Sequence, residues 1–207
     1  MLAVALGVAD SDLRRVGTLI GRLCDALAPT LDPRPGSPDL DLVVAELTSL
    51  VQPLGPRDEE QVAAAVGVLI QARDATAALI GGTLLAADHQ PDGTADQWIE
   101  QALRHQVPVQ CTRRTAVADV LLGGASVPEG SAVWVMLAAA ERGPHSAPAT
   151  FGFGPHACPG SALACQIARG FVTAVLAGGW RPVPGQPPTY EPRPNLRLPS
   201  QVLVEQS

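Results

Sequence analysis

Leu13, Val16, Leu19, Ile20, Leu23 and Leu27 recur at the spacing of one helix face, and Asp10 or Ser11 stands where an N-cap is expected. The apolar start before them is taken as a first buried element. Pro29 to Pro38 is dense in proline and glycine and predicts a loop, after which Asp39 to Val51 forms a second amphipathic helix closed by Pro53. Pro56, followed by Asp58, Glu59 and Glu60 in the first turn, opens the longest predicted helix, which runs to about Ala87. Thr94 caps another helix over about Ala95 to His105, stopping before Pro108. From Val109 to Leu137 the pattern changes to short β-type runs. Turn signals at Gly123-Gly124 and Pro128-Glu129-Gly130 divide them, which predicts a small antiparallel sheet. After a loop from Arg142 to Thr150 comes a glycine-rich stretch, Phe151 to Gly160, then an amphipathic helix to about Leu176. The tail from Trp180 to Ser207 is rich in proline and ends in one extended segment, Leu196 to Val204. The expected fold class is mainly α with a small antiparallel β portion, arranged as one domain over residues 1–207.

Composition narrows the function classes. The chain has 207 residues, 46% of them apolar, enough for a core. Its 14 basic residues are all arginine, against 20 acidic residues, for a net charge of −6. That balance disfavours nucleic acid and anionic membrane surfaces, both of which need clustered cations. Without lysine, Schiff-base, P-loop and lysine-nucleophile chemistries are excluded. The apolar runs, with Gly, Ser or Thr tolerated, are Val62 to Ile70, Ala77 to Ala87 and Ala132 to Ala140, each well short of the ~20 residues that cross a bilayer. The N-terminal stretch lacks the positive charge of a signal peptide. The expectation is a cytoplasmic protein binding neither nucleic acid nor membrane. The cysteines at positions 24, 111, 158 and 165 match no paired C-x-x-C zinc spacing and are expected to be reduced.

One stretch carries chemistry. In Phe151-Gly-Phe-Gly-Pro-His-Ala-Cys-Pro-Gly160 a cysteine stands directly before a predicted helix whose first turn holds Pro159. Unpaired backbone N–H groups and the positive end of the helix dipole stabilise a thiolate there, the form a metal ligand takes. Two plainer readings stand beside it: a small buried residue, or a zinc site made by Cys158 with Cys165 and His156. Cys165, Cys24 and Cys111 are expected to be core residues.

The loop resembles the heme-binding loop of the cytochrome P-450 family, Phe-x-x-Gly-x-His/Arg-x-Cys-x-Gly, with Phe151, Gly154, His156, Cys158 and Gly160 filling every fixed position. The resemblance implies heme b as cofactor, with Cys158 as the proximal thiolate on iron, His156 near a propionate and Phe151 packed beside the sulfur. It extends to other segments. In Leu69-Ile-Gln-Ala-Arg-Asp-Ala-Thr-Ala-Ala-Leu-Ile80, Ala72 stands where the family has glycine, Asp74 where it has the acid, and Ala75 where it has threonine; Thr76 follows one position late. By resemblance Asp74 and Thr76 are the candidates for proton delivery. Gln101 takes the glutamate position of the family's Glu-x-x-Arg and Arg104 the arginine, while Glu100, at i, i+4, can pair with Arg104. Arg114 falls where the family places an arginine on a heme propionate, and Arg142 is the remaining candidate for a further framework arginine.

Family members are about twice this length, and the resemblance covers only the C-terminal half of their fold. The resulting expectation is a shortened heme-thiolate monooxygenase acting on a small organic substrate, with electrons from a ferredoxin or reductase. Two alternatives stand: a catalytically silent accessory subunit that binds a larger enzyme through the open heme face, or a truncated fragment.

Overall fold

The computed structural model describes residues 2–27, 38–51, 58–141 and 149–206. The predicted loops at Pro29–Pro38 and Arg142–Thr150, together with Pro53, Pro56 and Arg142, lie wholly or largely outside the described residues. The described chain is mainly helical with short antiparallel strand pairs, and it divides into two compact units.

The first unit comprises residues 1–77 and 192–194. After a short helix, α1 (Leu2–Ala5), Asp10–Asp12 form a 3-10 turn that leads directly into α2 (Leu13–Leu27). Asp10 and Ser11 are therefore inside that turn and not at an N-cap; the position before the turn is Ala9, without a side-chain cap bond. The predicted face of α2 is the buried one: Val16, Leu19, Ile20, Leu23 and Cys24 pack with Val43, Leu47 and Val51 from α3 (Pro38–Leu50) and its end. Ala65, Val66 and Leu69 close this core from the first half of α4 (Glu59–His89). Asp58 caps α4, its Oδ1 accepting the Gln61 N–H at 2.8 Å.

The second unit comprises residues 78–191 and 195–207. The second half of α4 supplies Leu79, Leu84, Ala86 and Ala87 to two small cores, one shared with Ile99, Ala102, Leu103 and Ala168, the other with Trp98 and Val172. α5 (Ala95–Gln101) opens with a full capping box, Thr94 and Gln97 each satisfying the other's backbone N–H. It continues as a π turn over Ala102–Gln106 and stops at Val107, whose φ of 40° is left-handed, immediately before Pro108.

The β region differs from the predicted sheet in its connectivity. β1 (Thr112–Thr115) pairs with β4 (Ala132–Val135), and β2 (Val120–Leu122) with β3 (Ala125–Val127), as separate two-stranded ladders. The β2–β3 turn is Gly123-Gly124, with φ of 56° and 86°, the two consecutive left-handed residues that a tight hairpin turn needs. A third ladder joins β5 (Trp180–Pro182) to β6 (Val204–Gln206). The predicted extended tail thus makes two isolated bridges, at Leu196 and Pro199, before its last residues pair as a strand. Between the ladders, α6 (Leu137–Ala140) leads toward the Phe151 loop, and α7 (Ser161–Ala177) follows it.

No apolar run in the sequence is long enough to predict a spanning segment, yet α4 taken as a whole helix of 31 residues is long and apolar enough, by length and composition, to cross a membrane. The difference lies in Gln71, Arg73 and Asp74, which interrupt the runs without lowering the average enough.

Candidate functional site

Cys158 sits in a loop shaped by backbone hydrogen bonds. The turn Ala149–Phe151 is closed by the Gly152 N–H donating to the Ala149 carbonyl at 2.8 Å. The Cys158 N–H then donates to the Phe151 carbonyl at 2.8 Å, folding the segment back on itself. Between these points Gly152 and Gly154 have φ of 69° and 65°. A Cβ on Gly152 would lie 3.3 Å from the His156 carbonyl oxygen, so both backbone conformation and space favour glycine there. Phe151 is anchored against Leu79, Ile99, Ala102 and Leu103. Cys158, His156 and Phe153 are exposed.

The helix after the loop begins later than the sequence suggested. α7 starts at Ser161 with Gly160 as N-cap, so Pro159 lies outside it and Cys158 stands two residues before the cap. Proline cannot donate to the preceding carbonyl, and the turn at Cys158 is closed instead by the Ser161 N–H at 3.4 Å. Cys165 is half-buried against the core cluster and its thiol is pushed up by burial, as are the buried Cys24 and Cys111 thiols. Among the described residues no group of three His, Cys, Asp or Glu side chains comes together as a metal site. The loop offers one exposed thiol, Cys158, with the exposed His156 two residues before it; a thiolate there is a donor that a heme iron would take from the protein.

Arg114, on β1 opposite Val133, is exposed; its Nη1 donates to Thr112 Oγ1 at 2.7 Å and to the Arg113 carbonyl at 2.8 Å. Both partners are neutral, so the guanidinium charge remains available to an anionic group.

Gln101 and Arg104 each have another partner. Gln101 Nε2 donates to Gln90 Oε1 at 3.1 Å, while Arg104 Nε donates to Glu100 Oε1 at 3.1 Å, the i, i+4 pair that the spacing allowed. On its other side Arg104 Nη1 lies 4.0 Å from Glu141 Oε2. Glu141 directly follows α6, its side chain is 1% exposed, and its Oε1 accepts the Thr150 N–H at 2.9 Å. Sequence reading passed over this residue. Its signal was a lone acid closing the apolar run before a loop.

In the first unit Asp74 is buried and doubly paired. Its Oδ1 accepts from Arg73 Nη1 at 2.6 Å, and its Oδ2 lies 3.4 Å from Arg193 Nε. Arg193 also donates to the Cys24 carbonyl at 3.2 Å and pairs with Asp25. Thr76 is half-buried on the same helix, with Ala72 and Ala75 beside it.

No family model matches the chain. Vitamin D(3) 25-hydroxylase from Pseudonocardia autotrophica is 30% identical over 183 residues, covering 76% of this chain and 45% of that protein. Cytochrome P450 monooxygenase PikC from Streptomyces venezuelae is 30% identical over 195 residues, covering 82% and 47%. The solved structure of P450BioI, in complex with an acyl carrier protein ligated to hexadec-9Z-enoic acid, superposes with a TM-score of 0.79 at 21% identity. It covers 100% of this chain and 65% of that one. The chain is a homologue of the cytochromes P450. This cytochrome P450 homologue spans less than half the length of those two curated relatives. Its mainly helical architecture with small antiparallel ladders is the fold of its structural neighbours.

Proposed function

We propose that this cytochrome P450 homologue is a heme-thiolate monooxygenase acting on a small organic substrate, with electrons from a ferredoxin or reductase. The observation that carries the reading is the exposed Cys158 at the apex of a loop that two left-handed glycines and the Phe151 carbonyl bond bend into shape. Heme ligated by a thiolate supplies oxygen activation, since the sulfur pushes electron density onto the iron. The residues that would hold it are Cys158 through iron, Phe151, Gly154 and Gly160 by shaping the loop, and His156 and Arg114 toward anionic propionates.

Asp74 and Thr76 are the candidates for handling protons. A carboxylate placed between two guanidinium groups must give up one of them before it can pass a proton, which makes Asp74 a slow relay unless Arg73, the more exposed partner, swings away. A second reading, a silent accessory subunit, draws support from Gln101, which is engaged by Gln90 and leaves Arg104 without the usual acid at that position.

The test is the absorption spectrum of the ferrous protein with carbon monoxide. Wild type and Cys165→Ser are expected to show the strongly red-shifted Soret band of a thiolate-ligated heme, and Cys158→Ser to lose it. Equal loss of the band in both variants would sink the assignment of Cys158 as the ligand, and its absence in wild type would sink the monooxygenase reading and favour the accessory one.

A further inference from the structure

We infer that Glu141 is a positioning residue: it ties Arg104 to the start of the Cys158 loop and so holds that loop in the form that presents the thiol. The inference deepens the heme-thiolate reading and rests on it for its significance. The geometry itself lies within the second unit.

A buried carboxylate is costly unless charge and hydrogen bonds compensate it. With its side chain 1% exposed, Glu141 has two compensations pointing in different directions. Oε1 accepts the Thr150 N–H at 2.9 Å. Oε2 accepts no hydrogen bond, and its facing cation is Arg104 Nη1 at 4.0 Å. From Thr150 the connection to sulfur is short. Thr150 lies within the Ala149–Phe151 turn, and the carbonyl of Phe151 receives the Cys158 N–H at 2.8 Å. Fixing Thr150 therefore fixes the acceptor that folds Cys158 back.

Arg104 is held from the opposite side by Glu100 at 3.1 Å, but that glutamate is 61% exposed on its side chain, where solvent weakens the pair. Gln101 is occupied by Gln90. Glu141 is thus a buried acid facing Arg104, and it comes from the residue after α6, not from within α5.

Amide hydrogen exchange on the protein without added heme reads this directly. In Glu141→Ala the Thr150 and Cys158 amides are expected to exchange about tenfold faster, the order of magnitude expected when a donor loses its buried acceptor. Unchanged protection at both amides would overturn the inference. Glu141→Gln keeps an acceptor for Thr150 and removes the charge, so it carries the test if the alanine variant does not fold. In that background Arg104→Gln is expected to have no further effect on Cys158 exchange, although it speeds that exchange in wild type. An equal effect of Arg104→Gln in both backgrounds would show that Glu141 and Arg104 are not coupled and would overturn the inference as well. Neither measurement needs heme, so failure of Glu141 as a positioning residue is separate from failure of Cys158 as a ligand, which the carbonyl spectrum alone decides.

Discussion

A carboxylate in the middle of an apolar helix needs partners, and Asp74 has Arg73 and Arg193. Arg193 is itself 10% exposed on its side chain and reaches Asp74, Asp25 and the Cys24 carbonyl with different nitrogens, which binds the 192–194 segment to α2 and α4. Asp74→Asn removes charge compensation from a largely buried guanidinium and is expected to lower the stability of the first unit by about 2 kcal/mol. The denaturant midpoint, followed by a probe within residues 2–77, checks this. A shift confined to oxygen chemistry, with no loss of stability, would instead assign Asp74 to proton delivery. The side chains around Arg104 divide the same way between local and distant. Glu100 was legible because i, i+4 places it on the same helix face. Glu141 was not, since nothing in the spacing tells which buried acid from a later element will face an arginine.

At the scale of elements, signals that act within a few residues were legible and those that depend on hydrogen-bond partners farther away were not. Thr94 and Gln97 form their reciprocal cap because both side chains reach backbone N–H groups in the same turn. Thr94→Ala is expected to cost about 1 kcal/mol, and Thr94→Asp close to nothing, because aspartate accepts the same bond. Thermal unfolding of the two variants side by side measures the difference. Gly123-Gly124 marked the hairpin turn for an equally local reason. The start of α7 was misplaced by two residues. Proline suits a first helical turn, but here Cys158 is committed to the Phe151 carbonyl, and the helix begins only after Gly160. The π turn at Ala102–Gln106 has no sequence mark of its own.

Across the whole molecule the lack of lysine isolates one titration. The raised thiols are Cys24 in the first unit and Cys111 and Cys165 in the second, in each case chiefly because burial disfavours the thiolate. Once unfolded, these thiols lose their protons near 9.0, while the folded ones keep them to higher pH. Their contribution to stability is therefore intact below that value and is lost as pH rises through the folded values. With no lysine and one tyrosine, few other side chains titrate in that window. Urea midpoints are expected to fall between about pH 8 and about pH 10, and to fall less in a Cys24→Ala, Cys111→Ala, Cys165→Ala variant. An identical decline in that variant would place the alkaline sensitivity elsewhere.

The sequence by itself determined most of the described helices, the Gly123-Gly124 hairpin turn, the mainly α class, and the glycine-bent loop around Cys158, because periodicity, caps, turn glycines and proline act over one or two turns of backbone. Tertiary structure alone decided which charges meet. Arg193 reaches Asp74, Glu141 faces Arg104, and the β segments pair as three separate ladders. Such pairings bring together groups far apart in the chain. Their energy comes from removing charged and polar groups from water at one place, which no local pattern encodes.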